Sequence, residues 1–97
     1  MAQNQKSKRR KVNFSLDAPD AEHVCLSGDF NGWDRQKHPM KKSNNGSWQL
    51  AMMLPPGRYE YRFLVDDRWT NDLQNPETSP NCYGTFNNVV SVPEDGS

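Results

Sequence analysis

The amino-acid sequence predicts an all-β fold, an immunoglobulin-like (early-set) sandwich of about six to eight short antiparallel strands. Seven prolines and six glycines punctuate the 97-residue chain at short intervals. Between them, apolar and polar residues alternate with the two-residue period of a half-buried strand. Only 33% of the residues are hydrophobic, which suits a thin core between two small sheets better than a thick one.

The alternating segments are residues 11–16, 23–28, 48–54, 59–65 and 86–92. Turn-forming sequences separate them, including two Asn-Gly pairs and a Pro-Pro-Gly. The stretch between Trp69 and Phe86 is rich in asparagine and proline, so we expect an irregular loop there. The residues expected to pack in the core include Phe30, Trp48, Tyr59, Tyr61 and Phe63.

One domain is expected, residues 11–93, between a disordered basic tail at 1–10 and a disordered end at 94–97. Five of the six positions from Lys6 to Lys11 are basic, whereas residues 12–97 hold seven basic and twelve acidic groups. An acidic body argues against a nucleic-acid-binding face. The tail is either a solvated leader or an accessory contact to nucleic acid or anionic lipid.

The chain shows no sign of membrane insertion. No apolar run approaches the ~18 residues of a membrane span, and no apolar segment follows the basic start. We therefore expect a cytoplasmic protein with no membrane partner. Cys25 and Cys82 are expected to be reduced thiols in that compartment, although a bridge between them stays open.

The residue groupings that catalysis needs are missing from the sequence. His23 and His38 have no metal-ligand spacing with the cysteines. Asp66, Asp67 and Asp72 lack the glycine and terminal glutamate of a calcium loop. We therefore expect no enzyme activity, no metal and no cofactor.

Two of the three tryptophans are expected in or beside polar turns. Trp33 follows Asp-Phe-Asn-Gly and Trp69 follows Asp-Asp-Arg, whereas Trp48 begins an alternating strand. Core burial is the ordinary role of a tryptophan, but these two turns offer little apolar surface. A pyranose ring has a C–H face that packs on an aromatic ring and an equator of hydroxyls that amides and guanidinium groups bind. Trp33 and Trp69 are therefore candidate platforms for a sugar.

Four blocks of the chain, in order, resemble carbohydrate-binding module family 48. This family includes the glycogen-binding module of the AMP-activated protein kinase β subunit and the N-terminal domains of glycogen branching enzyme and isoamylase. The blocks are VCLSGDFNGW at 24–33, LPPG at 54–57, YRFLVDDRW at 61–69 and GTFNNVV at 84–90. The resemblance covers about residues 12–92.

The resemblance implies a non-catalytic module that binds α-1,4-linked glucan, such as glycogen, starch or maltooligosaccharides. Its tryptophans would stack on glucose rings while its basic and amide side chains bond the hydroxyls. The site residues that it implies are Trp33, Arg62, Trp69, Tyr83, Thr85 and Asn87.

Two departures from the family pattern bear on specificity. Arg62 stands where the family has lysine, which keeps the charge and changes the donor geometry. Tyr83 stands where the kinase module has leucine, so preference for branched or linear chains is open. The alternative function is a protein-interaction domain of a glycogen-metabolism enzyme or kinase that kept the fold without sugar binding.

Overall fold

The computed structural model describes residues 9–94, which form eight strands in two antiparallel sheets. No helix within these residues has the length and apolar composition needed to cross a membrane. The strands are β1 Arg10–Asp17, β2 Val24–Gly28, β3 Lys41–Lys42, β4 Ser47–Leu54, β5 Gly57–Val65, β6 Arg68–Thr70, β7 Thr78–Pro80 and β8 Phe86–Val92.

The smaller sheet has the order β1-β4-β3, and the larger has the order β2-β5-β8-β7 with β6 paired to the end of β5. Alternation along each strand decides which residues face the other sheet. In β5, Tyr61 and Phe63 are buried in the core, while Glu60 and Arg62 occupy the alternate, outward positions. The all-β sandwich predicted from the alternation is therefore confirmed.

The core lies between the sheets and is rich in aromatic rings. Phe14 of β1 meets Tyr61 of β5 edge-on, with ring centres 5.0 Å apart. Trp48 is buried, and its indole N–H donates to the carbonyl of Ala18 at 2.9 Å. Phe30 and Tyr59 are half-buried against the same cluster. The expected core residues thus pack where the sequence predicted.

The boundaries differ slightly from the prediction. Strand β1 begins at Arg10, inside the stretch expected to be a tail, and pairs there with Leu54. Strand β7 lies inside the expected loop, where three residues were too few to show alternation. The rest of the predicted tail, residues 1–8, and the predicted disordered positions 95–97 lie outside the described residues.

Cys25 and Cys82 are free thiols, so the bridge left open by the sequence does not form. Burial, and secondarily the charge of Asp67, raises the pKa of the Cys25 thiol.

Candidate functional site

A pocket of about 780 Å³ opens on the outward face of the larger sheet. All six residues predicted from the sequence line it, together with two that were not predicted. The lining residues are Trp33, Arg62, Trp69, Asn81, Cys82, Tyr83, Thr85 and Asn87.

Strand register explains why distant parts of the chain meet in this pocket. Trp69 of β6 lies directly opposite Leu64 of β5, so it shares a face of the sheet with Arg62. Asn87 lies on the outward face of β8. A short 3-10 turn, Asp29–Asn31, directly follows β2, and Trp33 comes just after it.

The backbone of Trp33 is held in an unusual conformation. Both Gly32 and Trp33 have left-handed φ values, 67° and 60°. For a bulky residue such as Trp33 that conformation costs on the order of 1–2 kcal/mol. The amide of Trp33 donates to the carbonyl of Gly28 at 2.9 Å, which helps to hold the turn.

The carboxylate of Asp29 joins this turn to the sheet. One oxygen accepts the indole N–H of Trp33 at 3.0 Å, and the other accepts the backbone N–H of Glu60 at 2.8 Å. The ring of Trp33 is therefore restrained by a charge-assisted bond as well as by the backbone.

The two tryptophan rings meet at an angle and do not form one flat surface. Their centres are 6.0 Å apart and their planes lie 66° from each other. Trp33 is half-buried, and Trp69 is 40% exposed. Of the two, Trp69 therefore offers more ring surface to a ligand.

Arg62 is anchored by weak bonds to neutral groups. Its two terminal nitrogens donate to Asn71 Oδ1 at 3.3 Å and to Thr85 Oγ1 at 3.4 Å. Its buried Nε has no acceptor within residues 9–94. The guanidinium carbon lies 5.8 Å from the ring centre of Trp69. Arg62 thus keeps donor capacity beside the most exposed platform.

Asn87 is almost buried, at 8% exposure, and both ends of its amide are engaged. Its Nδ2 donates to Glu60 Oε1 at 3.0 Å, and its Oδ1 accepts from Asn81 at 3.0 Å. The bond from Asn87, followed by that from Arg58, lowers the pKa of Glu60. One N–H and one lone pair of the Asn87 amide remain for a ligand.

Sequence reasoning missed Asn81, which shapes the rim of the pocket. Its Oδ1 accepts the backbone N–H groups of Tyr83 at 3.0 Å and Thr85 at 3.2 Å, and the Thr85 hydroxyl at 3.1 Å. This Asx turn holds Tyr83 out in solvent with 86% of its surface exposed. The asparagine two residues before Tyr83 is an Asx-turn signal that was present in the sequence.

Asn88 is fully buried, and its neighbour Asn87 takes the outward position on β8. Its Oδ1 accepts from Asn71 at 3.1 Å and from the Asp72 amide at 2.7 Å. Its Nδ2 donates to the carbonyls of Asp72 and Asn75. Asn88 therefore ties the loop after β6 to the sheet, and that loop carries the partner of Arg62.

The arrangement provides aromatic surface, amide groups and a cation around an open pocket. Such a set binds a polar ligand that has an apolar face, by packing and hydrogen bonding. Among its lining residues, the pocket has no histidine or carboxylate to act as a general base.

Comparison with known proteins agrees with this description. The family model described as the glycogen recognition site of AMP-activated protein kinase matches residues 11–97. The chain is 43% identical over 72 residues to Protein FLOURY ENDOSPERM 6, chloroplastic, of Oryza sativa subsp. japonica, covering 74% of this chain and 13% of that protein. It is 39% identical over 71 residues to 5'-AMP-activated protein kinase subunit beta-1 of Sus scrofa, covering 73% of this chain and 55% of that one.

A solved structure shares the fold. The maltogenic amylase from S. marinus matches with a TM-score of 0.78 and 21% identity, over 95% of this chain and 15% of the amylase. The chain thus spans well under two thirds of the length of each of these three proteins. With its sequence match over nearly the whole described chain, the domain belongs to the family of the glycogen recognition site of AMP-activated protein kinase.

Proposed function

We propose that this domain binds α-1,4-linked glucans without catalysis, through the pocket on the outward face of the larger sheet. The observation that carries the proposal is that the six residues implied by family resemblance, which come from distant parts of the chain, line one pocket. The ligands proposed are glycogen, starch and maltooligosaccharides.

In this proposal the exposed ring of Trp69 packs on the C–H face of one glucose unit, and Trp33 contacts a neighbouring unit. The 66° between the two rings suits a ligand that curves from one ring to the other, as an α-linked glucan does. Arg62, Thr85 and Asn87 bond the hydroxyls. Because the pocket is open and its ligand keeps much of its hydration, affinity for one oligosaccharide is expected at about micromolar to millimolar.

Tyr83 is proposed to lie against the glucan as an aromatic finger. Its 86% exposure leaves the ring free to pack on a passing chain. An aromatic ring in place of the aliphatic residue of the kinase module gives a flatter contact. We propose that this position sets the preference between branched and linear glucans.

Two tryptophan variants test the site. Trp69→Ala is expected to weaken retention on glycogen by at least about tenfold, on the scale of a hot-spot aromatic. Trp33→Ala is expected to weaken it as well. Met53→Ala is the matched control, because Met53 is 55% exposed and lies on the other sheet. Affinity electrophoresis in glycogen measures all three, and full retention in both tryptophan variants would contradict the site.

A panel of polysaccharides tests the ligand class separately. Wild-type domain is run through glycogen, amylopectin, pullulan and a β-glucan. Retardation by the three α-glucans and free passage through the β-glucan is the expected result. Equal retardation by the β-glucan would contradict specificity for α-linkages.

The names and lengths of the relatives bear on partners and location. Because the pig relative is a kinase subunit and the chain spans only part of it, contact with a kinase or a glycogen-metabolism enzyme is the second candidate function. Co-purification of such an enzyme with a domain that binds no α-glucan would favour it. The cytoplasmic location expected from the sequence stays a prediction, since the rice relative is named chloroplastic.

A further inference from the structure

Trp69 is contacted by two arginines and not by one. The guanidinium carbon of Arg62 lies 5.8 Å from its ring centre, and that of Arg35 lies 5.9 Å from it. Arg35 is exposed, on the segment that follows Trp33. Nothing in the sequence singled it out, because only the fold brings it to Trp69.

Within the described part of the chain, neither guanidinium pairs with a carboxylate. Within residues 9–94, Arg35 makes no hydrogen bond or ion pair with another side chain or the backbone. Arg62 bonds only the neutral oxygens of Asn71 and Thr85, and its buried Nε has no acceptor. Two positive charges therefore flank one aromatic platform.

Three carboxylates near the site residues, in sequence or across the strands, bond groups other than Arg35 and Arg62. Asp29 accepts from Trp33 and from the amide of Glu60. Asp34 accepts the amide of Gln36 at 2.8 Å, and Glu60 pairs with Arg58 at 2.9 Å. Arg35 and Arg62 thus place two cations beside Trp69, on a body whose residues 12–97 carry more acidic than basic groups.

We propose that the pocket takes α-glucan bearing phosphate monoesters in preference to unmodified glucan, with Arg35 and Arg62 binding the phosphate while Trp69 packs on the sugar. This inference rests on the proposed function. A phosphate monoester carries a charge of about −1.5 to −2 at neutral pH and three acceptor oxygens. Arginine's planar fork of donors matches such a group. Arg35 is exposed and makes no hydrogen bond within residues 9–94, and each terminal nitrogen of Arg62 keeps one N–H beyond its bond to Asn71 or Thr85.

Stacking on the indole accounts for the packing of these arginines, but it supplies no hydrogen-bond acceptor to Arg35. The Nε–H of Arg62 is buried without an acceptor within residues 9–94, so a ligand on the surface meets only the terminal nitrogens of that side chain. Hydroxyls of a neutral glucan would accept hydrogen bonds from those terminal nitrogens. They would leave the exposed charge of Arg35 unmatched, which an anionic substituent would match.

The test uses quenching of tryptophan fluorescence by two ligands that differ in one feature. One is a maltodextrin prepared from phosphorylated amylopectin, and the other is the same maltodextrin after phosphatase treatment. The wild type should bind the phosphorylated form about fivefold more tightly, on the scale of one favourable exposed ion pair. Added salt should reduce that preference.

Arg35→Gln should remove most of the preference, and Lys41→Gln should keep it. Lys41 is the matched control because it is an exposed cation on the other sheet, and it loses the same charge. A titration with inorganic phosphate alone shows whether the site binds the free ion as strongly as phosphate carried on a glucan.

Equal affinity of the wild type for the two maltodextrins would overturn this inference while leaving the proposed function intact. A preference that survives in Arg35→Gln, or quenching by inorganic phosphate as strong as by the phosphorylated maltodextrin, would also overturn it. Failure to bind either maltodextrin would overturn the proposed function and this inference together.

Discussion

At the scale of single residues, Trp33 shows how a short sequence presets a side chain. Its left-handed backbone, its amide bond to Gly28 and its indole bond to Asp29 all limit where the ring can lie. A ring held in place before binding loses less conformational entropy on meeting a ligand. Asp29 is therefore expected to act as a positioning residue for Trp33.

Asp29→Asn tests this role. An amide keeps one oxygen acceptor but loses the charge, so it cannot serve both the Trp33 indole and the Glu60 amide as well as the carboxylate does. We expect glucan affinity to fall by about threefold to tenfold, which corresponds to one weakened charge-assisted bond. Near-ultraviolet circular dichroism should change too, since the Trp33–Trp69 ring pair loses its fixed geometry.

Asp20→Asn is the matched control, because Asp20 is exposed in the turn after β1 and makes no side-chain bond within the described residues. Unchanged affinity and an unchanged tryptophan spectrum in Asp29→Asn would show that the turn backbone alone positions Trp33.

At the scale of elements, the loop between β6 and β7 is organised by one buried amide. This amide, the side chain of Asn88, accepts hydrogen bonds from the Asn71 amide and the Asp72 backbone N–H, and it donates to the carbonyls of Asp72 and Asn75. Tyr61 adds to this anchoring, as its hydroxyl donates to Asp72 and accepts from Asn75. Burial is the main cause that raises the pKa of Tyr61, so the hydroxyl stays protonated and keeps donating. The loop is thereby fixed to β8, and Asn71 stays within reach of Arg62.

Asn88→Ala should therefore affect both stability and binding. Removing the amide leaves buried backbone groups of the loop without partners, at a cost of about 3 kcal/mol in the free energy of unfolding. Urea denaturation measures that loss. Glucan affinity of the folded fraction should fall as well, because Asn71 no longer holds Arg62. Asn44→Ala, in an exposed turn, should change neither. If Asn88→Ala loses stability but keeps full glucan affinity, the loop does not position the binding site.

At the scale of the whole molecule, the two sheets are joined by aromatic packing, and the pocket lies on the far face of one of them. Phe14 contacts Tyr61 of the other sheet edge-on, and the ring centres of Phe14 and Phe30 are 5.8 Å apart. In a domain of this size the total stability is about 5–15 kcal/mol, so a single buried ring is a large share of it.

Phe14→Ala should destabilise the domain by about 3–5 kcal/mol, through lost burial and the cavity left behind. Thermal unfolding, monitored by circular dichroism, measures this loss of stability. Because Phe14 belongs to the sheet that does not carry the pocket, the protein that remains folded at low temperature should bind glucan with wild-type affinity. Ser15→Ala, the exposed neighbour, should melt normally. A large loss of affinity in folded Phe14→Ala would mean that the pocket depends on the sheet-to-sheet packing.

Most of the fold was predictable because it depends on local alternation. The pattern around Tyr61 and Phe63 predicted a strand with one buried face, and the structure confirms it. The short strands β3, β6 and β7 were harder, since two or three residues show no period and form through pairing with neighbours already in place.

Alternation, turn residues and family blocks are all local in the chain, so the sandwich, its aromatic core and the six residues proposed for the site could be predicted from the amino-acid sequence. The way the site is built depends on contacts between distant segments. The Asp29 bridge to Glu60 spans 31 residues, and the Asn88 bond to Asn71 spans 17. The contact of Arg35 with Trp69 likewise joins the segment after Trp33 to strand β6. Such contacts depend on strand register and on which face each residue occupies, and no local pattern encodes the meeting of two segments that only the closed sheet brings together.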